Sequence, residues 1–238
     1  MRNIIAIFKK EFRAYFDSPI AYIFITAFLI CSMWIFFKGF FLVGQTIMRG
    51  YFSLLPWLFL FFVPAVTMRL WAEEKKLGTI EVLMTLPIND YEVIIGKYLA
   101  AYLFLTLTIL LSITLPITLF VLGETDLGPI IGGYLGALLM GGAYLAIGLF
   151  ASSLSENQIV AFILGIVFCF SLFIVGENFV IMAVPARFAS FFSYLGLGTH
   201  FESIGRGVID TRDIIYYLSV IGFFIFLNIR SLESRKWS

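Results

Sequence analysis

The residues best placed to do chemistry lie in one polar stretch, 69–97, and the chemistry they offer is capping and bracing. The segment WAEEKKLGTIEVLMTLP (71–87) reads as helical pieces separated by breaks. Lys75 and Lys76 suit the negative end of a helix arriving from upstream, and Gly78 can take the left-handed conformation that closes it. Thr79 is a candidate N-cap for a short helix from Ile80 to about Thr85, with Glu81 near its positive end. Pro87 restricts Leu86 and stops that helix. Asn89 then caps the next helix, and Glu92 completes a capping-box spacing. Links between helices usually take about 2–8 residues, so 69–97 is longer and more structured than a connection requires. It predicts a short transverse helix braced between two longer ones.

Other chemistries lack their parts. The single histidine, His200, stands beside Thr199 and Glu202 and has no second histidine or cysteine pair for a metal site. No serine–histidine or paired-aspartate arrangement suits an intramembrane protease. There is no G-x4-G-K-[ST] phosphate loop, and Gly96-Lys97 has no glycine five residues before it. Cys31 and Cys169 fall in apolar runs and read as buried thiols without a disulfide. The isolated chain is therefore not expected to be an enzyme or to bind a cofactor.

The elements that hold the loop follow from composition. Of 238 residues, 61% are hydrophobic and 13% charged, where soluble domains carry about 25% charged. A soluble fold and a disordered chain are both excluded, and a net charge of +1 gives no reason to expect nucleic acid. Uncharged runs occupy 18–37, 50–68, 98–123, 127–155, 157–176 and 214–229. A crossing helix needs about 17–25 apolar residues. Five runs meet this; the sixth falls one short, and Asp213 and Arg230 can snorkel at its ends. The fold class is an all-α integral membrane protein of one domain, 1–238. It has an interface helix at 1–17 and spans at 20–42, 50–70, 98–123, 127–153, 157–176 and 214–230. The loop 71–97 faces one side and 177–213 the other.

Lysines and arginines set the orientation. Arg2, Lys9, Lys10, Arg13, Arg69, Lys75, Lys76, Lys97, Arg230, Arg235 and Lys236 share one side; Lys38, Arg49, Arg187, Arg206 and Arg212 share the other. Both termini are expected in the cytoplasm. No cleavable signal is expected, because no small-x-small site follows the first span. Residues 2–16 alternate at helical spacing between Ile4, Ile5, Phe8, Phe12, Tyr15 and Phe16 and the cations Lys9, Lys10 and Arg13, as an interfacial helix would. Pro116 predicts a kink in span three. Gly132, Gly136, Gly142 and Ala146 give span four a close-packing face, for contacts inside the subunit or with a second copy. Phe179–Ala186 and Phe188–Leu197 are too short to span and read as outer re-entrant or interfacial helices. The central stretches of the spans carry no ionisable residue, which disfavours an ion-coupled carrier. Energy for any movement must come from elsewhere.

The stretch 71–87 resembles the E-x-x-x-G-T-x-E-x-L-x-x-x-P signature of ABC-2 type transporter permeases. Gly96-Lys97, the turn SSLSENQ (152–158) and KKEFR (9–13) with Ser18-Pro19 resemble the same family. The segment GRGVIDTRD (205–213) resembles the branch containing the gliding-motility-associated permeases and the permease of the nitrous oxide reductase maturation system. The resemblance implies a subunit of the bacterial inner membrane that works as a pair, with a second copy or a paralogue, above two cytoplasmic ABC ATPase subunits. ATP and Mg would be held by those ATPases. Glu74, Gly78, Thr79, Glu81, Leu83 and Pro87 would be the ATPase-coupling positions. Lys9, Lys10, Glu11 and Arg13 would make a second ATPase contact. Spans two and five would line the path between subunits, with Phe59, Phe62, Phe162 and Phe170 as candidate lining. The implied activity is ATP-driven export. The alternative is the same fold used as a mechanical or assembly module for an outer-face accessory protein, docking on 177–213.

Overall fold

The computed structural model describes residues 2–43, 48–85, 87–122, 126–208 and 210–235. Leu86, Gly123 and Lys236, which the sequence reading used, lie outside these residues. Thirteen helices follow one another in the described chain: α1 (Arg2–Asp17), α2 (Pro19–Val43), α3 (Arg49–Thr67), α4 (Arg69–Lys76), α5 (Thr79–Thr85), α6 (Asp90–Leu111), α7 (Thr114–Leu122), α8 (Leu127–Ser153), α9 (Gln158–Ile174), α10 (Asn178–Ala183), α11 (Ala186–Leu195), α12 (Leu197–Gly205) and α13 (Thr211–Arg235). Among the described residues there is no strand.

Five helical stretches are long and apolar enough to cross a membrane: Pro19–Phe40, Arg49–Lys76, Asp90–Leu122, Leu127–Ser153 and Thr211–Ser234. The sequence predicts six. The difference is α9, which has 17 residues although its uncharged run covers 157–176. Both ends are trimmed locally. Asn157 Oδ1 accepts the Ile159 N–H at 2.9 Å and fixes the start. At the other end the backbone of Gly176 comes so close to that of Gly196 that a Cβ on Gly176 would lie 2.7 Å from Gly196 Cα. The chain turns there rather than continuing as helix.

The central helix is α8, buried along most of its length and packed by α3, α6, α9, α12 and α13. Its small residues make this possible inside one subunit. A Cβ on Gly141 would meet Leu105 Cδ2 at 2.5 Å, one on Gly133 would strike the Phe52 ring, and one on Gly148 would strike Thr67. These close approaches give the small-residue face its use within the chain. At about 1.5 Å per residue, the 27 residues of α8 run roughly 40 Å. They define two ends: the loop end near Ser152 and the far end near Gly132.

Two interruptions divide the longer helices, the first of them made by proline. In α6–α7, Pro116 has no N–H for Ser112 O, and the Leu115 N–H takes that carbonyl at 2.9 Å instead. The helix breaks at Ser112–Ile113. In α3–α4, a turn at Met68 follows Pro64, whose carbonyl accepts the Met68 N–H at 2.8 Å. At the far end, α12 is pinned to α13. Tyr217 donates to Leu197 O at 2.7 Å, and Tyr216 to Leu195 O at 2.6 Å. His200 faces Asp213 Oδ1 at 2.6 Å through Nδ1 and Tyr194 O at 2.9 Å through Nε2. The lone histidine is thus a structural tie.

Candidate functional site

At the loop end, α1 runs along α6 rather than lying free. Gly96 makes room for it: a Cβ there would meet Ile7 Cγ2 at 2.8 Å and Ile4 O at 3.2 Å. The start of α1 is tied to the start of α6, since Asn3 Nδ2 donates to Glu92 Oε2 at 2.9 Å. The same carboxylate accepts the Asn89 N–H at 3.4 Å, the reach-back half of a capping box. Farther along, Tyr15 is buried, stacks on Phe104 at 4.8 Å and donates to Val66 O at 3.3 Å. Arg69 covers its other surface, 4.5 Å from the ring centre, and donates to Ala14 O at 3.2 Å. Burial pushes the Tyr15 phenol well up, so it stays a neutral donor, although the Arg69 charge pulls the other way.

The centre of this end is Lys97, which is 1% exposed. Its Nζ lies 2.8 Å from Glu74 Oε1 and 3.0 Å from Glu11 Oε1, and donates to Leu70 O at 2.9 Å. It also sits 5.0 Å from the centre of the Trp71 ring. One ammonium, with three donors and no acceptor, therefore joins three helices: α1 through Glu11, α4 through Glu74 and α6 through its own backbone. Lys10, largely exposed, adds weaker contacts to Glu11 at 3.7 Å and Glu74 at 3.8 Å.

A second clamp comes from the last residues of α8. The first amides of a helix lack partners within it. Those of Trp71 and Ala72 in α4 donate to Ser152 Oγ at 3.1 and 3.2 Å, and Ser152 donates to Met68 O at 2.8 Å. One buried hydroxyl thereby satisfies the bend between α3 and α4. Lys75, buried in α4, donates to Ser153 O, and Ser153 Oγ meets Ser231 Oγ of α13 at 3.1 Å. The helix α4 is held by α1, α6 and α8, and the end of α8 is in turn tied to α13.

The short helix α5 projects from this braced base. Gly78 takes φ +68°, a left-handed turn that ends α4. Thr79 does not serve as the N-cap that the sequence predicts. It is the first residue of α5, and its hydroxyl donates back to Glu74 O at 3.3 Å, closing the last turn of α4 instead. The reason is local: the tight Gly78 turn sets the hydroxyl beside the free carbonyls of α4.

The fourteen residues expected at the site therefore divide by position. Gly78, Thr79, Glu81 and Pro87 are exposed, and Leu83 is half-buried against the core. Lys9, Lys10 and Arg13 are exposed on α1. Glu74 and Glu11 are not on this open surface; both turn inward to Lys97, with side chains 15% and 13% exposed. The four phenylalanines do not form one lining. Phe59 is fully buried with its ring 6.0 Å from Phe28, and Phe62 packs 5.4 Å from the same ring, both toward α2. Phe162 is half-buried, and Phe170 is 39% exposed on α9. Sequence reasoning placed Lys97 and Ser152 in motifs without their roles and missed Asn3 and the Arg69–Tyr15 pair. A lysine at the threshold of an uncharged run was the available signal, since such a charge must find partners.

Fold and site together define a class: a multi-pass helical membrane protein whose polar loop at 69–97 is locked to its spans by buried charged side chains. The sequence comparison names the family. Residues 38–229 match the ABC-2 family transporter protein family, and the chain belongs to it. ABC-2 permeases are membrane subunits and not themselves catalysts. A search of curated proteins finds no match.

Proposed function

We propose that the chain is the permease subunit of an ATP-binding-cassette exporter, driven through α4 and α5 by a separate ATPase. It would sit in a bacterial cytoplasmic membrane with six spans and both termini inside. The 17 residues of α9 are within the range of about 17–25 that can cross, and the eleven-to-five division of lysines and arginines supports that orientation. Two such chains, or one and a paralogue, would stand on two ATPase subunits that carry ATP and Mg. The segment 205–213 favours the branch with the gliding-motility and nitrous oxide reductase maturation permeases.

One observation carries the reading: the Lys97 brace. A projecting helix transmits a push only if its base cannot yield. The base of α5 is held by a buried ammonium shared between Glu11 and Glu74, while α5 itself exposes Glu81 and Val82. Glu74 and Glu11 then act as braces, and Gly78, Thr79, Glu81, Leu83, Pro87, Lys9, Lys10 and Arg13 supply the ATPase-facing surface.

The test uses the permease co-expressed with its ATPase. Glu81→Lys reverses the exposed charge of α5. Gly78→Pro demands φ near −65° where the chain takes +68°. Either change should detach or uncouple the ATPase, lowering its stimulated turnover at least about tenfold, a loss of 1.4 kcal/mol, while membrane insertion persists. ATPase content and turnover equal to wild type in both variants would sink the coupling role. If turnover instead depends on an outer-face protein and no solute or lipid moves, the complex is an assembly machine and not an exporter. The exposed Phe179, Met182, Phe188 and Phe191 of α10 and α11 are where such a partner would dock.

A further inference from the structure

A cleft of about 440 Å³ opens at the far end between α3, the α9–α10 turn and α12. Its wall is aromatic. Phe52, Phe173 and Phe201 are each 2–3% exposed, and Trp57, 46% exposed, meets Phe173 edge-on at 5.0 Å. Four charged side chains line the same cleft: Arg49, Arg206, Glu177 and Glu202. Among the described residues no ion pair joins any of them, although this end offers two of each sign. Arg206 Nε donates only to the backbone carbonyl of Glu202, at 3.2 Å. Glu177 precedes α10 as its N-cap residue, yet its side chain makes no cap bond. It turns to Gly198 instead, where a Cβ would lie 3.2 Å from Glu177 Oε1. Burial, with the neighbouring Glu202 charge, raises the Glu177 carboxyl above its ordinary range.

The chemistry selects a ligand class. Two carboxylates beside aromatic rings favour a cation, because both attract an ammonium group. Two guanidiniums favour a phosphate. The signs balance, so a plain anion would face two carboxylates and a plain cation two guanidiniums. A zwitterion meets both. The apolar surface continues beyond the cleft one helical turn on, at Phe61 of α3 and Phe170 of α9, and then at Val167, which are 57%, 39% and 50% exposed. A hydrocarbon chain can lie along it.

We propose that this cleft binds a zwitterionic phospholipid with a phosphoethanolamine head group. The ammonium lies between Glu177 and Glu202 against the rings, the phosphate lies toward Arg49 and Arg206, and the acyl chains lie along α3 and α9. The inference concerns binding alone. It holds whether an ATP-driven complex moves this lipid, moves something else or works on a partner protein, and it rests only on the chain being a membrane protein.

The test is native mass spectrometry of the full-length chain in detergent, titrated with phosphatidylethanolamine, phosphatidylglycerol and glycerophosphoethanolamine. Wild type should retain phosphatidylethanolamine about tenfold more tightly than phosphatidylglycerol, the effect of one or two half-exposed charge contacts. The double variant Glu177→Gln/Glu202→Gln should remove that preference, and Arg206→Gln should weaken both lipids. If the double variant does not fold, Glu202→Gln alone, at an exposed position, should still reduce the preference. Equal retention of the two lipids by wild type overturns the proposal, as does a preference untouched by the glutamine changes. Glycerophosphoethanolamine binding as tightly as the intact lipid would make this a site for soluble zwitterions. A change in oligomeric state with lipid retention unaltered would seat a second copy there. Either result also overturns it.

Discussion

The two ends of the molecule use charge in opposite ways. At the loop end the charges are bonded to one another. Lys97 holds Glu11 and Glu74 at 3.0 and 2.8 Å and is almost wholly buried. At the far end Arg49, Glu177, Glu202 and Arg206 face a common cleft and form no ion pair among the described residues. Paired, buried charges lock helices, because parting them leaves each unsolvated. Unpaired charges around aromatic rings leave their bonding capacity open to a ligand. The contrast separates a part built to be rigid from a part built to receive.

The largest break is expected at Lys97. Lys97→Met keeps the length of the side chain but leaves Glu11 and Glu74 inward with only the exposed Lys10 near them. Removing one partner of a buried pair costs about 3–5 kcal/mol. A thermal or denaturant melt of the purified chain should register that loss. The triple change Glu11→Gln/Glu74→Gln/Lys97→Met removes every charge of the group and should recover most of it. If single and triple variants lose the same amount, packing and not charge holds α1, α4 and α6 together.

Ser152→Ala should have the next largest effect. It removes the acceptor of the Trp71 and Ala72 amides and the donor to Met68 O. Each buried group left without a partner costs about 1–3 kcal/mol, some of it relieved by relaxation of the bend. Hydrogen exchange should speed up at residues 70–73 and not in the middle of α8. Unchanged exchange there would mean that the Met68 bend closes without the hydroxyl.

Much of the loop end was legible because capping is local chemistry. Gly78 acts on the turn it occupies, and Asn89 and Glu92 stand three residues apart, so each reads directly as a turn or a helix start. The brace was not legible in the same way. Lys97 finds Glu11 across 86 residues of chain, and nothing in either neighbourhood announces the other. Thr79 shows the limit even of local rules: its type marks a cap, and only the fold of the Gly78 turn decides which helix it serves. The far-end cleft was invisible for a plainer reason. Its four charges come from three separate segments, Arg49, Glu177 and the stretch holding Glu202 and Arg206, and nothing in any one of them announces the others. Helix length failed where backbone met backbone, at Gly176 and Gly196, since an uncharged run says how far a helix can extend and not where another strand of chain will stop it.

The smallest expected effect sharpens the comparison most, because its sign differs from the other two. Glu177 has its carboxyl raised by burial and by Glu202, so its charged form is less favourable in the folded protein than in the unfolded chain. Such a group favours the fold fully below the ordinary glutamate range, and that contribution fades as pH rises through the raised value. Glu177→Gln removes the penalty. Without added lipid the variant should therefore match wild type in acid and melt slightly higher near neutral pH, by less than Ser152→Ala lowers it. Lys97→Met should lose stability under the same conditions. A Glu177→Gln variant that is less stable than wild type at neutral pH would mean that its carboxylate is already bonded within the chain. The far end would then be braced by charge as the loop end is, and the distinction between the two would fail.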